Sequence, residues 1–425
     1  MAEAEIFSHY VDNHNEYESL YVRLSSEVES PIAGLQLIRM ELAESFSAGS
    51  PFMSLEFTDL NGDFVNHYKP NPATKYFLDI GRGLLNSTRV ELRCSKVVML
   101  NKRPGSSEHI AFKMFFIHHG WNELINIRRS RGWYDKKHSE IVEEIARECF
   151  FNKVDVSETS TRTEFYIQPY WSNLQTIKHL RQKSRTENGG HIEFGVKLNG
   201  DFFFKSVGDM IAEQKEKAKS KKLTTFKMQG QYLEDFNMKR EYDRNNKVPT
   251  YFAHFTGEED YVSAVVGGAG GVKAMYFDNT TGKYVEDSIS FSQTDTPQLS
   301  DWSAIQSVHE GAEMRMYGGR DSDVVVKAEN KVIDTVDSIS RLEILIEGST
   351  NVHIGEMVEI IIPMPNIGSI LPQSIIYSGF YIVAGVKHTI DLRKSTASTT
   401  ISLMRDGFDG KDLDGYAKSK QGKFV

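Results

Sequence analysis

The residues best placed to do chemistry are His118-His119, the run Glu258-Glu259-Asp260, the glycine cluster GGAGG at 267–271, the Asp/Gly-rich stretch 406–415, and the cysteines Cys94 and Cys149. Adjacent imidazoles suggest a pair of metal ligands. Neighbouring strand residues point to opposite faces, however, and no third ligand stands nearby, so the two read as a strand-end pair. The acidic triplet reads as a solvated loop, because glycosidases draw acid and base from separate elements that fix their separation. The glycine cluster lacks the spacing and trailing Lys-Ser/Thr of a phosphate loop and does not fit G-x-G-x-x-G; it reads as a bend between strands. Residues 406–415 lack the alternating ligands and terminal Glu of a calcium loop. Neither G-x-S-x-G nor H-E-x-x-H occurs. Two cysteines cannot build a disulfide framework or a four-Cys zinc site, and Cys149, among Ile145, Ala146 and Phe150, reads as a small core residue. The residue chemistry predicts no catalytic, cofactor or metal site.

The chain of 425 residues is 40% hydrophobic, 11% aromatic and 25% charged, which excludes collagen-like, disordered and disulfide-scaffold classes. Its length predicts two or three domains. The net charge of −8 is opposite to the basic footprint of nucleic-acid binders. Five lysines between Lys215 and Lys222, interleaved with Glu216, read as a solvated helix face or loop. The N-terminus has no signal-peptide pattern and no apolar run approaches the ~18 residues of a membrane span. Synthesis in a reducing cytoplasm without membrane insertion is expected, which leaves the sequons at Asn86 and Asn279 without significance.

The elements that would position these residues are mostly strands. Leu35–Leu42, Phe52–Phe57, Val90–Leu100 and His109–His118 are short, apolar-rich and partly alternating, with turn material between them. After Trp133 the period changes. Ile141, Val142, Ile145, Ala146, Cys149 and Phe150 form a helical stripe, with Ser139 as cap. Ser172 and Gln175 form an S-x-x-Q capping box before Leu174, Ile177 and Leu180. A hairpin turning at Asn199-Gly200 follows, then a short helix opened by Ser206 and Asp209. Strands return from about 225 and end in Arg341–Glu347, Met357–Pro363, Gly379–His388 and Ser398–Met404. A helix over Asn330–Ser340 leads into that last set. The predicted organisation is a β domain over 1–125, a helical α+β insert over 126–224, a second β domain over 225–405 with a helical segment near 330–340, and a flexible tail over 406–425.

Three stretches together are similar to the central baseplate hub proteins of contractile-tailed bacteriophages, which are related to the barrel region of injection-system spike proteins. In the C-terminal stretch the matching positions include Gly348, Gly355, Glu356, Val358, Pro363, Ser378, Gly379, Tyr381, Val383, Lys387, His388, Thr399, Asp406 and Phe408. Glu356 replaces the commoner Asp, and Gly385 stands where a larger residue is usual. The second stretch matches at Trp171, Asn173, Ile177, Leu180, Phe194, Gly200, Phe204, Lys205, Ser206 and Asp209. The third, weaker one runs from the glycine cluster through YFDNTTGKYVEDSISF. The likeness covers roughly residues 140–410, by the order and spacing of these motifs.

The resemblance implies a mainly β protein with helical inserts and two tube-like β-barrel domains in one chain. It also implies a homotrimer with pseudo-sixfold symmetry. Such a ring would adapt the hexameric tail tube to the trimeric central spike, contact baseplate wedge or other hub proteins, and pass DNA through its lumen without specific binding. The expected location is the tail baseplate of a virion, with no enzyme activity and no cofactor. The signature residues would have structural roles: Gly348, Gly355 and Gly379 at turns, and Tyr381, Ile382 and Val383 divided between barrel interior and insert or subunit packing. Two other classes stand beside this one, a tail-associated cell-wall hydrolase and a spike protein of an injection system.

Overall fold

The computed structural model describes residues 4–12, 19–27, 35–60, 73–81, 87–101, 110–189, 191–220, 223–227, 255–259, 271–278, 281–289, 302–303, 314–318, 325–328, 330–331, 340–347, 352–362, 377–391, 393, 396–405 and 407–408. The first part supplies β1 (Ala4–Asp12), β2 (Ser19–Ser26), β3 (Leu35–Ser45), β4 (Phe52–Asp59), β5 (Lys75–Gly81), β6 (Ser87–Asn101) and β7 (Ile110–His118). The middle holds α1 (His119–Asn126), β8 (Arg128–Lys137), α2 (His138–Arg147), β9 (Val154–Val156), β10 (Arg162–Ser172), α3 (Asn173–Lys183), β11 (Ile192–Val196), β12 (Phe202–Ser206) and α4 (Val207–Ser220). The last part begins with β13 (Thr224–Lys227), β14 (Phe255–Glu259), β15 (Val272–Asp278), β16 (Lys283–Ile289), β17 (Trp302–Ser303) and β18 (Met314–Gly318). It ends with β19 (Ser340–Glu347), β20 (Met357–Ile361), β21 (Gly379–Asp391), β22 (Thr396–Arg405) and β23 (Gly407–Phe408).

Strands from both ends of the chain belong to one 13-stranded sheet. Its order is β1-β2-β5-β6-β7-β4-β3-β21-β22-β19-β14, with β20 beside β21 and β13 beside β20. The junction is the antiparallel pair β3–β21, which sets Met40 opposite Ile390 and Glu44 opposite Val386. β1 returns to within 8 Å, Cα to Cα, of β22, so the first part of the sheet curls back on itself. Period-2 alternation explains why: on β3 the side chains of Ile38, Met40 and Leu42 are buried while Arg39 is exposed, and sequestering that face bends the sheet around it.

The long β21–β22 hairpin serves two cores. Its tip, Ile390 and Ala397, packs with Val22, Met40, Leu78, Val90 and Phe116 of the first part. Its base, Tyr381, Val383, Val386, Ile401 and Leu403, packs with Phe226, Leu342, Ile344 and Ile360. The middle segment has a core of its own, in which Trp133, Ile141, Val142, Ile145, Ile177, Leu180, Phe202 and Phe204 cover the inner face of the β8–β10 ribbon and the β11–β12 hairpin.

Several local expectations are altered. His118 and His119 do stand at a strand end, but only His118 belongs to the strand. The chain turns from β7 into α1 between them, so alternation does not apply, and both rings are buried. Ser139 does not cap α2. The helix starts one residue earlier, at His138, and the Ser139 hydroxyl instead accepts from Thr159 N at 3.2 Å while Thr159 Oγ1 accepts from Ser139 N at 3.0 Å. Glu258 and Glu259 lie in β14 rather than a loop, paired with Arg341 and Ser340; Asp260 lies outside the described residues. Of the glycine cluster only Gly271 is described, just before β15, and of the Asn330–Ser340 helix only its ends, with helix already present at 325–328 and 330–331. In the expected tail, Gly407–Phe408 pair with Trp302–Ser303 as β23 and β17; 409–425 lie outside the described residues.

Candidate functional site

A buried carboxylate lies where the three parts of the chain meet. Glu44 sits at the end of the buried face of β3, 2% exposed, in line with Met40 and Leu42. A carboxylate in that position must have its lone pairs answered. Leu198 N, in the turn between β11 and β12, donates to Oε2 at 2.6 Å, and Ile354 N, in the loop before β20, donates to Oε1 at 3.2 Å. The His353 Nδ1 stands 3.4 Å from Oε1. One side chain therefore ties the first part, the insert and the last part together.

Two histidines flank this carboxylate and respond to it differently. Burial works against charge on His353, but the hydrogen bond and negative charge of Glu44 outweigh it and hold the imidazole above its usual value. His388, on the same sheet face one pair along, shares Nδ1 with Thr399 Oγ1 at 3.0 Å, and burial pushes it down to about 4 despite Glu44. His388 is thus a neutral core imidazole.

Backbone contacts close the joint. Val196 N donates to Gly49 O at 2.8 Å, and Phe46 N to Ala384 O at 3.0 Å. A Cβ on Gly195 would lie 2.6 Å from Gly49 O, so only a residue without a side chain lets β11 approach the first part this closely. Phe46, Phe203, Val207, Met210, Ile211, Ile354, Met357, Ile382 and Met404 fill the space around it, from all three parts. On β21 the side chains of Tyr381 and Val383 enter the last-part core while Ile382, between them, packs against α4.

The signature positions fall into three groups. At the start of α3, Ser172 Oγ accepts from Gln175 N and Gln175 Oε1 from Ser172 N, closing the capping box. Asn173 is fully buried, accepting from Gln168 and Arg131 and donating to Cys149 Sγ, while Trp171 meets His179 edge-on at 5.2 Å. Around β12, Gly200 turns at φ +84°, Phe204 is in the insert core, and Lys205 bridges Glu213 at 2.6 Å and Asp155 at 3.0 Å. Ser206 accepts from Asp209 N at the head of α4. In the last part, Gly355 turns at φ +79° next to Ile354, and Ser378 Oγ accepts from Ile362 N just ahead of Gly379 at φ +135°. Gly348, Pro363 and Asp406 lie outside the described residues.

Sequence reasoning missed Glu44 and Arg405. Arg405 is 1% exposed, lies 5.2 Å over the Tyr381 ring and donates to Ser378 O at 2.9 Å. Glu44 carried a signal: it occupies an apolar position in the alternation Met40-Leu42-Glu44-Phe46. His118 Nδ1 accepts from Gly120 N and caps α1, and His119 Nδ1 accepts from Arg93 Nε; burial pushes each imidazole down to about 4. Burial pushes the Cys94 and Cys149 thiols up to about 11, far from the thiolate form. Among the described residues no group of three His, Cys, Asp or Glu side chains could hold a metal ion.

No family model matches the sequence and no curated protein matches it. Solved structures do. A tail protein from Neisseria meningitidis MC58 superposes with a TM-score of 0.57 at 9% identity, over 91% of this chain and 97% of that one. The 43 kDa tail protein of prophage MuSo2 from Shewanella oneidensis superposes with a TM-score of 0.55 at 10% identity, over 92% of this chain and 100% of that one. The likeness runs the length of both chains, and what it establishes at such identity is architecture: this chain shares the fold of these two tail proteins.

Proposed function

We propose that the protein is a structural hub of a phage tail baseplate: a trimeric ring that adapts a hexameric tail tube to a trimeric central spike and forms part of the DNA channel. The observation that carries this reading is the whole-length tail-protein fold, shared over more than nine-tenths of the chain. The interior supports it. Buried Glu44 fixes three parts of the chain against one another, as a load-transmitting body requires, and burial disfavours the charged forms of His118, His119, His388, Cys94 and Cys149. The two β-rich parts, each with its own core around a shared hairpin, are the two barrel-like lobes of this reading; three chains contribute six. The net charge of −8 favours passage of DNA without retention. Its partners are further copies of itself, the tube protein, the spike protein and neighbouring baseplate proteins, and its place is the virion tail.

Sedimentation of the purified protein tests the assembly. A species of three times the 48.3 kDa chain mass is expected. A species of one chain mass at all attainable concentrations would contradict the trimeric hub.

A further inference from the structure

The β8–β10 ribbon has two unlike faces. Facing inward, Trp133, Tyr166 and Gln168 are buried against the insert core. Facing outward, Tyr134 is 79% exposed, Phe165 60% and Ile167 56%. These three are contiguous: Phe165 pairs directly with Tyr134, Ile167 pairs with Gly132, and the Phe165 ring lies across Gly132, 3.2 Å from where a Cβ would stand. The solvated face of an antiparallel ribbon is ordinarily polar, and this one is aromatic and aliphatic. The exposed part amounts to about 400 Å², within the size range of functional patches on monomers. It would supply about half of the ~800 Å² that each partner contributes to a stable interface.

Charge indicates what covers it. Residues 126–224 carry 19 Lys and Arg against 14 Asp and Glu, a net of +5; with −8 on the whole chain, −13 remains on the other residues. A basic insert with an apolar outer face is complementary to the acidic β-rich parts of the same protein. A two-fold contact of ribbon on ribbon would set basic on basic, whereas a head-to-tail contact sets basic on acidic, and head-to-tail contacts close into rings.

We propose that the outer face of the β8–β10 ribbon, formed by Tyr134, Phe165 and Ile167, seats a second copy of this chain, docking on the neighbour's acidic β-rich surface. The inference rests on the trimeric reading above and names one of its contacts. The contact weakens with salt, since part of its attraction is between unlike charges at a solvated rim.

The test is sedimentation of the full chain beside the triple variant Tyr134→Thr, Phe165→Thr, Ile167→Thr, at low and high salt. Threonine keeps β propensity at exposed positions, so the melting temperature is expected to stay at the wild-type value. The trimer dissociation constant is expected to rise by about tenfold or more, as on truncating the apolar centre of an interface. A folded variant that trimerises like wild type would overturn the ribbon contact while leaving the trimer intact. A wild-type chain that is monomeric throughout would overturn both. If the variant fails to fold, a photo-crosslinking residue at position 134 replaces it. Crosslinks from trimer into a neighbour's residues 1–118 or 225–408 support the contact, and their absence overturns it.

Discussion

A carboxylate at 2% exposure is tolerated where its lone pairs are answered, and Glu44 accepts from two backbone N–H groups, one from the insert and one from the last part of the chain. Its removal would strand both donors. Glu44→Ala is therefore expected to lower unfolding free energy by about 3 kcal/mol or more, with Glu44→Gln, which keeps an acceptor oxygen, costing less. Urea midpoints of the two variants decide this, and an unchanged midpoint for the alanine variant would contradict the joint. The buried histidines make a second prediction. His118, His119 and His388 are each held down to about 4 from 6.5, so between those values the unfolded chain binds protons that the folded chain refuses. Stability then falls as pH drops from about 6.5 to 4, by on the order of 3 kcal/mol each for the deeply buried His118 and His388 and by less for His119, and levels off below. His353 runs the other way. Its raised value means a contribution that is full below the unfolded value and lost as pH rises through the folded one. A denaturation midpoint that stays flat from pH 6.5 to 4 would contradict the neutral burial of the first three. The capping box Ser172–Gln175 was legible in sequence because both partners are three residues apart. The partners of Glu44 were not, because they lie 154 and 310 residues away.

At the scale of elements, short-range rules placed the named strands and the helices opening near 138, 173 and 207, left α1 and the β8–β10 ribbon unnamed, and failed where a neighbour decided the outcome. Ser139 has the look of a cap, but Thr159 claims its hydroxyl. The pairing of β3 with β21 leaves no trace in local pattern, since which strands become neighbours is a tertiary outcome. The turn before β20 was legible, and it carries a prediction. Gly355 stands at φ +79°, its N–H bonded to Val383 O, with Met210 Sδ 3.4 Å from where a Cβ would be. Gly282, in the β15–β16 turn at φ +66°, has open space at the same point. Both valine variants pay the left-handed backbone cost of about 1–2 kcal/mol, and Gly355→Val adds crowding against α4. Thermal melts are expected to show the larger loss at Gly355. Equal losses would mean that α4 yields freely and is not held at the joint.

For the whole molecule, the length predicts two or three domains and the strand pattern two β-rich parts. The structure adds that the two β-rich parts are not separate units on a string. They share one sheet through β3–β21 and divide one hairpin between two cores. A force applied to one lobe is thereby carried to the other through main-chain hydrogen bonds, which suits a ring between a tube and a spike. The central claim is that this chain assembles as such a ring. Single-particle electron microscopy of the purified protein, averaged without imposed symmetry, tests it most directly. The account predicts a threefold ring of six similar lobes around an open centre. Compact single-chain particles without two similar lobes would contradict it.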